Sequence, residues 1–149
     1  MTRINAHIKP KHLLDQHLLA EYREIVRIPN VVKADLTNAY KKVKLAPPTF
    51  KLSTGHVIYF YDKIKFLHAR FLALKQELDC RGIENNMSDE MFLNVPSNLY
   101  NDLVECDLAN DLVAHRIIER ATGMKSLKYY KKEITLTEYL TIINKYVLR

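Results

Sequence analysis

Asp15-Gln16-His17-Leu18-Leu19-Ala20-Glu21-Tyr22-Arg23-Glu24-Ile25-Val26-Arg27 reads as one amphipathic helix. Leu14, Leu18, Tyr22 and Ile25 recur at spacings of four and three, which lays an apolar stripe along one side. His17, Glu24 and Arg27 stand at i, i+7 and i+10 and share another face. Such a helix buries one side in a core and holds a carboxylate and cations toward a ligand on the other. Pro10 or Lys11 is placed to open it, since proline suits the first helical turn. Pro29 lacks an amide donor, so the helix is expected to end or kink there. Val31 to Tyr40 could resume it.

Working outward, Lys41 to Thr54 reads as a basic connection in which Pro47-Pro48 forbids regular helix. Gly55 then opens a second helical run, with Phe60, Ile64, Leu67, Phe71, Leu74 and Leu78 alternating at four and three. Gly82 is a natural stop. Ile83 to Asp107 is acidic and irregular. Asp107 is placed to cap a third helix from Leu108 to Ala121, closed by Gly123, with Arg116 and Arg120 one turn apart on one face. Thr135 and Glu138 fit a capping box. They open a fourth helix whose stripe is Leu136, Leu140, Ile143 and Val147. The expected fold is all-α: a compact single domain over 1–149, of three main helices with irregular connections, plus an added C-terminal helix over 134–149.

Composition bounds the rest. A chain of 149 residues suits one domain and buries about 70% of its unfolded surface. Three Gly and five Pro argue against a turn-rich all-β fold. The absence of a long apolar run predicts no transmembrane helix and no membrane partner. No apolar signal core implies export. Cys80 and Cys106 lack C-x-x-C spacing and read as reduced intracellular thiols, with neither a metal site nor a cofactor implied.

The net charge of +6 is unevenly spread. Residues 1–51 carry ten Lys/Arg and four Asp/Glu, whereas residues 83–114 carry seven acids and no Lys or Arg. Residues 115–132 return to six bases. Two basic regions could converge on one polyanion with the acidic segment turned away. Ordinary surface solvation accounts for the same charges.

Two ordered blocks carry a resemblance. The chain begins M-T-R-I-N and continues D-Q-H-L-x-A-E-Y-R-E-x-x-R; later it reads P-T-F-x-L-x-x-G-H-V-x-x-F-Y-D-K-x-x-F-L from Pro48 to Leu67. Both resemble the pyrimidine-dimer DNA glycosylase/AP lyase family. The likeness runs through Gly82, thins toward Tyr130 and is absent from residues 131–149.

The resemblance implies an intracellular DNA repair enzyme, in the host cytoplasm if phage-encoded. It would act as a monomer on duplex DNA carrying damaged bases. It implies that the amine of Thr2, exposed when Met1 is removed, is the nucleophile. An α-amino group has a pKa of about 7.7–8.0, so part of it is neutral at physiological pH and able to form a Schiff base. Taken alone, a Met-Thr start reads as a processed but inert N-terminus, because many proteins begin this way.

The resemblance maps Glu24 onto the catalytic glutamate; from the residues alone, a surface ion pair with Arg23 or Arg27 accounts for it. Arg3, Arg23 and Arg27 match DNA-contacting arginines, and their planar forks suit phosphate oxygens and base edges. His17 matches a site-lining residue, although a lone helical histidine is otherwise structural. Arg116 and Arg120 match basic residues facing DNA. The Tyr59-Phe60-Tyr61 and Phe66 aromatics read as core, and Asp62 and Lys63 as structural.

Lys128, Tyr129 and Tyr130 match a basic-aromatic loop, with a departure. The family pattern is W-Y-K-Y-Y, whereas Ser126 and Leu127 lead here and the chain has no Trp. That change puts the preference for pyrimidine dimers in doubt. A related glycosylase or AP lyase acting on another damaged or modified base stays open, as does a catalytically silent DNA-binding protein.

Overall fold

The stripe on the first helix is the centre of the core. In the computed structural model, which describes residues 2–103 and 107–148 except the side chain of residue 107, Leu14, Leu18, Tyr22 and Ile25 are all buried. They lie on and just before α1 (Asp15–Ile25), which packs along α5 (Ile64–Cys80). The Tyr22 and Phe71 rings stack at 5.2 Å between centroids, and Phe92 closes over Phe71 at 5.3 Å. A third long helix, α6 (Asp107–Thr122), adds Val113, Ala114, Ile117 and Ala121 to the same cluster. Helix makes up 59% of the structure and strand 6%, so the all-α class holds. Among the described residues no helix is long and apolar enough to cross a membrane.

The first helix is shorter than its sequence implies. Pro10–His12 is a 3₁₀ turn, Leu13 and Leu14 are extended, and α1 begins only at Asp15. It ends at Ile25, four residues before Pro29. A proline ring clashes with the carbonyl four positions back and cannot donate to it, so the interruption falls at Ile25–Val26 rather than at the proline itself. Pro29 then sits in the first turn of α2 (Arg27–Ala34), where its missing N–H costs nothing.

Val31–Tyr40 is not one resumed helix. Asp35 breaks it and caps α3 (Leu36–Leu45), its carboxylate accepting the Asn38 amide at 3.0 Å. Helix thus extends into the stretch read as a connection from Lys41, and Pro47-Pro48 stops it only after Leu45.

The Gly55 run also divides, into α4 (His56–Tyr59) and α5. At the break, Asn101 donates to the Asp62 carbonyl at 2.7 Å and the Phe66 amide bonds the Asn101 carbonyl at 3.2 Å. A crossing segment takes the backbone groups that a continuous helix would use. Gly82 ends α5 as expected. It has φ +68, with the Ile83 amide on the Leu78 carbonyl and the Gly82 amide on the Asp79 carbonyl. The side chain of Asp107, on which the proposed cap depends, the second cysteine Cys106 and the initiator Met1 lie outside what the structure describes.

The chain after Gly123 holds an unforeseen hairpin, β1 (Leu127–Tyr129) antiparallel to β2 (Lys132–Ile134). Its two-residue turn, Tyr130-Lys131, has φ of 52° and 66°, values that favour Gly or Asn. The Asp15 carboxylate offsets that strain by accepting both turn amides, at 3.1 and 2.8 Å. The fourth helix, α7 (Leu136–Ile143), has the expected reciprocal capping box. Tyr139, not one of the predicted stripe, is fully buried, with its hydroxyl donating to the His12 carbonyl at 2.9 Å. Ile143 is buried beside it, while Leu136, Leu140 and Val147 are half-buried. The helix docks on α6.

Candidate active site

From Thr2 to Asn5 the chain belongs to no helix or strand, yet Ile4 and Asn5 are buried. Backbone groups taken from water need partners, and here side chains supply them. The Arg3 amide donates to Glu24 Oε2 at 3.2 Å, the Ile4 amide to His56 Nε2 at 3.1 Å, and the Ile4 carbonyl accepts from Arg116 at 3.1 Å. Asn5 bridges Glu21 at 2.8 Å and Arg116 at 2.9 Å. Glu21 is paired in turn with Arg70 through two bonds of 2.8 and 3.0 Å. The N-terminal segment is therefore pinned between α1, α4, α5 and α6, and half-buried Thr2 is held next to Glu24.

Arg3, His17, Arg116 and Arg120 line both an open cleft of about 820 Å³ and a small cavity of about 30 Å³, the latter also bounded by Glu21 and Glu24. The small cavity has room for one water-sized group. Arg3 Nε and His17 Nδ1 are buried without a partner among the described residues, so each has hydrogen-bonding capacity for a ligand. Burial, reinforced by Arg120, Arg116 and Arg3, pushes the His17 imidazole down to about 4. It is neutral at physiological pH and offers one donor and one acceptor. Burial and the neighbouring Arg120 lower Arg116 to about 10, and burial and Arg3 lower Arg120. Three crowded guanidiniums facing one cleft disfavour each other until an anion arrives.

The structure thus brings together Arg3, His17, Glu24, Arg116 and Arg120. It does not bring Arg23 and Arg27 into the cleft lining. Both are exposed, and Arg27 lies on α2, past the break at Val26. The described ion pairs do not include Glu24, so the surface pair with Arg23 or Arg27 is absent among them.

Lys128 is exposed on β1. Tyr129 and Tyr130 lean on the Arg81 guanidinium, at 5.0 and 4.3 Å from their ring centroids. Tyr130 donates to Glu77 at 2.7 Å and Tyr129 to the Lys11 carbonyl. Both rings are engaged by the protein and lie apart from the cleft residues. Lys63 and Asp62 pair with each other at 3.0 Å.

Asn5, Glu21, His56 and Arg70 are absent from the candidates read in the sequence. Two left a signal. Glu21 falls between Leu18, Tyr22 and Ile25, and Arg70 between Leu67, Phe71 and Leu74, so each places a charge within an apolar stripe and requires a buried partner.

Two of these histidines make stability pH-dependent. His56, like His17, is pushed to about 4, by burial first and then by Arg116. The unfolded chain binds protons at these sites near pH 6.5 while the folded protein does not. Stability is therefore present in full above pH 6.5 and lost as pH falls from there toward 4. Thermal denaturation across that window should show a falling midpoint, and a flat profile would contradict the buried neutral imidazoles.

Fold and site together define a small helical protein with a cationic cleft, lined by Arg3, Arg116 and Arg120 beside Glu119, and an adjoining small cavity bounded by Glu21 and Glu24. Residues 1–91 match the family model for pyrimidine dimer DNA glycosylase, well over half of the chain, and the protein belongs to that family. The match covers the pinned N-terminus, Glu24 and His56, and stops before α6 with Arg116 and Arg120. The family's chemistry, release of a base from DNA, makes DNA the substrate.

Proposed function

We propose that this protein excises at cyclobutane pyrimidine dimers in duplex DNA and then nicks the strand, acting as a monomeric single domain inside the cell, with a phage origin. The observation that carries the proposal is the hydrogen bond from the Arg3 amide to Glu24, which sets residue 2 beside a carboxylate. Once Met1 is removed, the neutral Thr2 amine attacks C1′ of the damaged nucleotide. The N-glycosidic bond breaks with its electron pair leaving on the base, which takes a proton. The C1′–O4′ bond then opens as C1′=N forms, O4′ taking up a proton that the amine has lost. A proton leaves C2′ and its electrons expel the 3′-phosphate, which is the lyase step; water then hydrolyses the imine, freeing the Thr2 amine and leaving the unsaturated aldehyde. Glu24 stabilises positive charge at C1′ and shuttles the protons.

Arg3, Arg116 and Arg120 receive phosphate charge in the cleft, and neutral His17 hydrogen-bonds the sugar or base. Exposed Arg23, Arg27 and Lys128 contact the backbone farther out, in a salt-dependent and sequence-independent way. Extrusion of a nucleotide gives the amine access to C1′.

A second substrate, another damaged base, is favoured by one observation: Tyr129 and Tyr130 are tied to Arg81 and Glu77, and no Trp leads them. Duplexes carrying a dimer, a plain abasic site or an oxidised or alkylated base separate the two. Nicking of dimer DNA with a 3′ unsaturated aldehyde end is expected. Nicking of abasic DNA alone would remove the dimer from the proposal, and failure on every duplex would leave a silent binding protein.

A further inference from the structure

We infer that His56 is a positioning residue for the reaction: through the Ile4 amide, its imidazole fixes where the Thr2 amine stands relative to Glu24. The inference rests on Thr2 as the nucleophile.

Three side chains from three helices hold the backbone of residues 3 and 4, namely Glu24, His56 and Arg116. Glu24 and Arg116 also line the site cavities; His56 lines neither of them. It reaches the chemistry only through the chain, two residues from the amine.

Its geometry is fixed on every side. Nδ1 bonds the Lys51 carbonyl at 2.9 Å and must be the protonated nitrogen, so Nε2 is left as the acceptor facing Ile4. Phe50 and Phe60 meet the ring edge-on, each at 5.4 Å. Gly55, just before it, has φ +91, and a Cβ there would stand 3.4 Å from the Pro47 ring. The Pro47–Gly55 turn therefore aims the imidazole at the N-terminal segment. An imidazolium would set an N–H against the Ile4 N–H, but burial and Arg116 keep the ring neutral down to about pH 4. Ile4 is fully buried, so without this acceptor its amide has no water to turn to, and residues 2–4 lose one of the bonds that orient them.

Two substitutions separate the bonds of the imidazole. The Gln side-chain oxygen reaches the position of Nε2, so His56→Gln keeps the acceptor for Ile4. The Asn amide nitrogen matches Nδ1, so His56→Asn keeps only the bond to Lys51. The full-length proteins are compared by single-turnover cleavage of an abasic duplex at saturating enzyme, by duplex affinity and by hydrogen exchange at the Ile4 amide.

His56→Asn should expose Ile4 to exchange and slow cleavage by roughly 10–100-fold, because ångström misplacements cost that much. Its duplex affinity should fall far less than its rate, since Arg116 and Arg120 keep their places in the cleft. His56→Gln should restore most of the rate and the Ile4 protection. Full-speed cleavage by His56→Asn, or equal slowing of both variants with Ile4 still protected, would overturn the positioning role. Borohydride trapping of the unaltered protein runs alongside. A cross-link away from residue 2 removes the nucleophile itself, an outcome distinct from a failure of His56.

Discussion

Glu24→Gln should bind damaged duplex as tightly as the unaltered protein, or more tightly, and lose roughly 10²–10³-fold in turnover. The carboxamide oxygen can still accept the Arg3 amide now bonded at 3.2 Å, so the N-terminal segment keeps its place. What disappears is the negative charge. Glu24 opposes the mutual repulsion of the cleft cations and contributes to holding Arg116 and Arg120 protonated. Removing it makes the cleft more cationic, which favours phosphate binding. The same charge is what an oxocarbenium-like sugar and a protonated imine need nearby, and a neutral amide cannot supply it. Single-turnover cleavage together with duplex affinity measures both halves. Near-normal turnover in folded Glu24→Gln would reduce Glu24 to a backbone anchor.

Glu21→Ala should lower the thermal midpoint by roughly 10 °C, since breaking a buried pair costs about 3–5 kcal/mol. Glu21 is 1% exposed and Arg70 7%. The substitution removes two bonds from Arg70 and one from Asn5, and leaves a guanidinium in the core with only the Ile8 carbonyl as a described partner. Replacing both members, Glu21→Leu with Arg70→Met, should recover part of the loss, because it also removes the stranded charge. A midpoint within a degree or two for Glu21→Ala would show that the pair contributes little. Because Asn5 connects this pair to Arg116, the damaged protein should also cleave more slowly than its loss of stability explains.

These two carboxylates, three residues apart on α1, show how far the amino-acid pattern reaches. Period and capping were legible wherever the information is local. The stripe from Leu14 to Ile25, the run from Ile64 to Leu78 with its Gly82 stop, and the Thr135–Glu138 box each depend on neighbours within a few residues. Breaks dictated by distant contacts were not legible. Tyr130-Lys131 carries no turn signature and holds its left-handed backbone because Asp15, 115 residues away, accepts both amides. The division at Phe60–Lys63 depends on Asn101.

The site divides the same way. His17 and Glu24 share a helix face that spacing reveals, and Arg116 and Arg120 share another. That these faces meet the N-terminal segment, and that His56 and Glu21 hold it there, is a tertiary fact. The break that puts Arg27 on a separate helix from Glu24 left no signal beyond Pro29.

The most direct test of a nucleophilic N-terminus is borohydride reduction of the protein on an abasic duplex, followed by peptide mapping and an intact mass for the unreacted chain. The mass should correspond to loss of Met1, and the covalent adduct should lie on the amine of Thr2. An adduct on an internal lysine, or trapping by protein that still carries Met1, would contradict it.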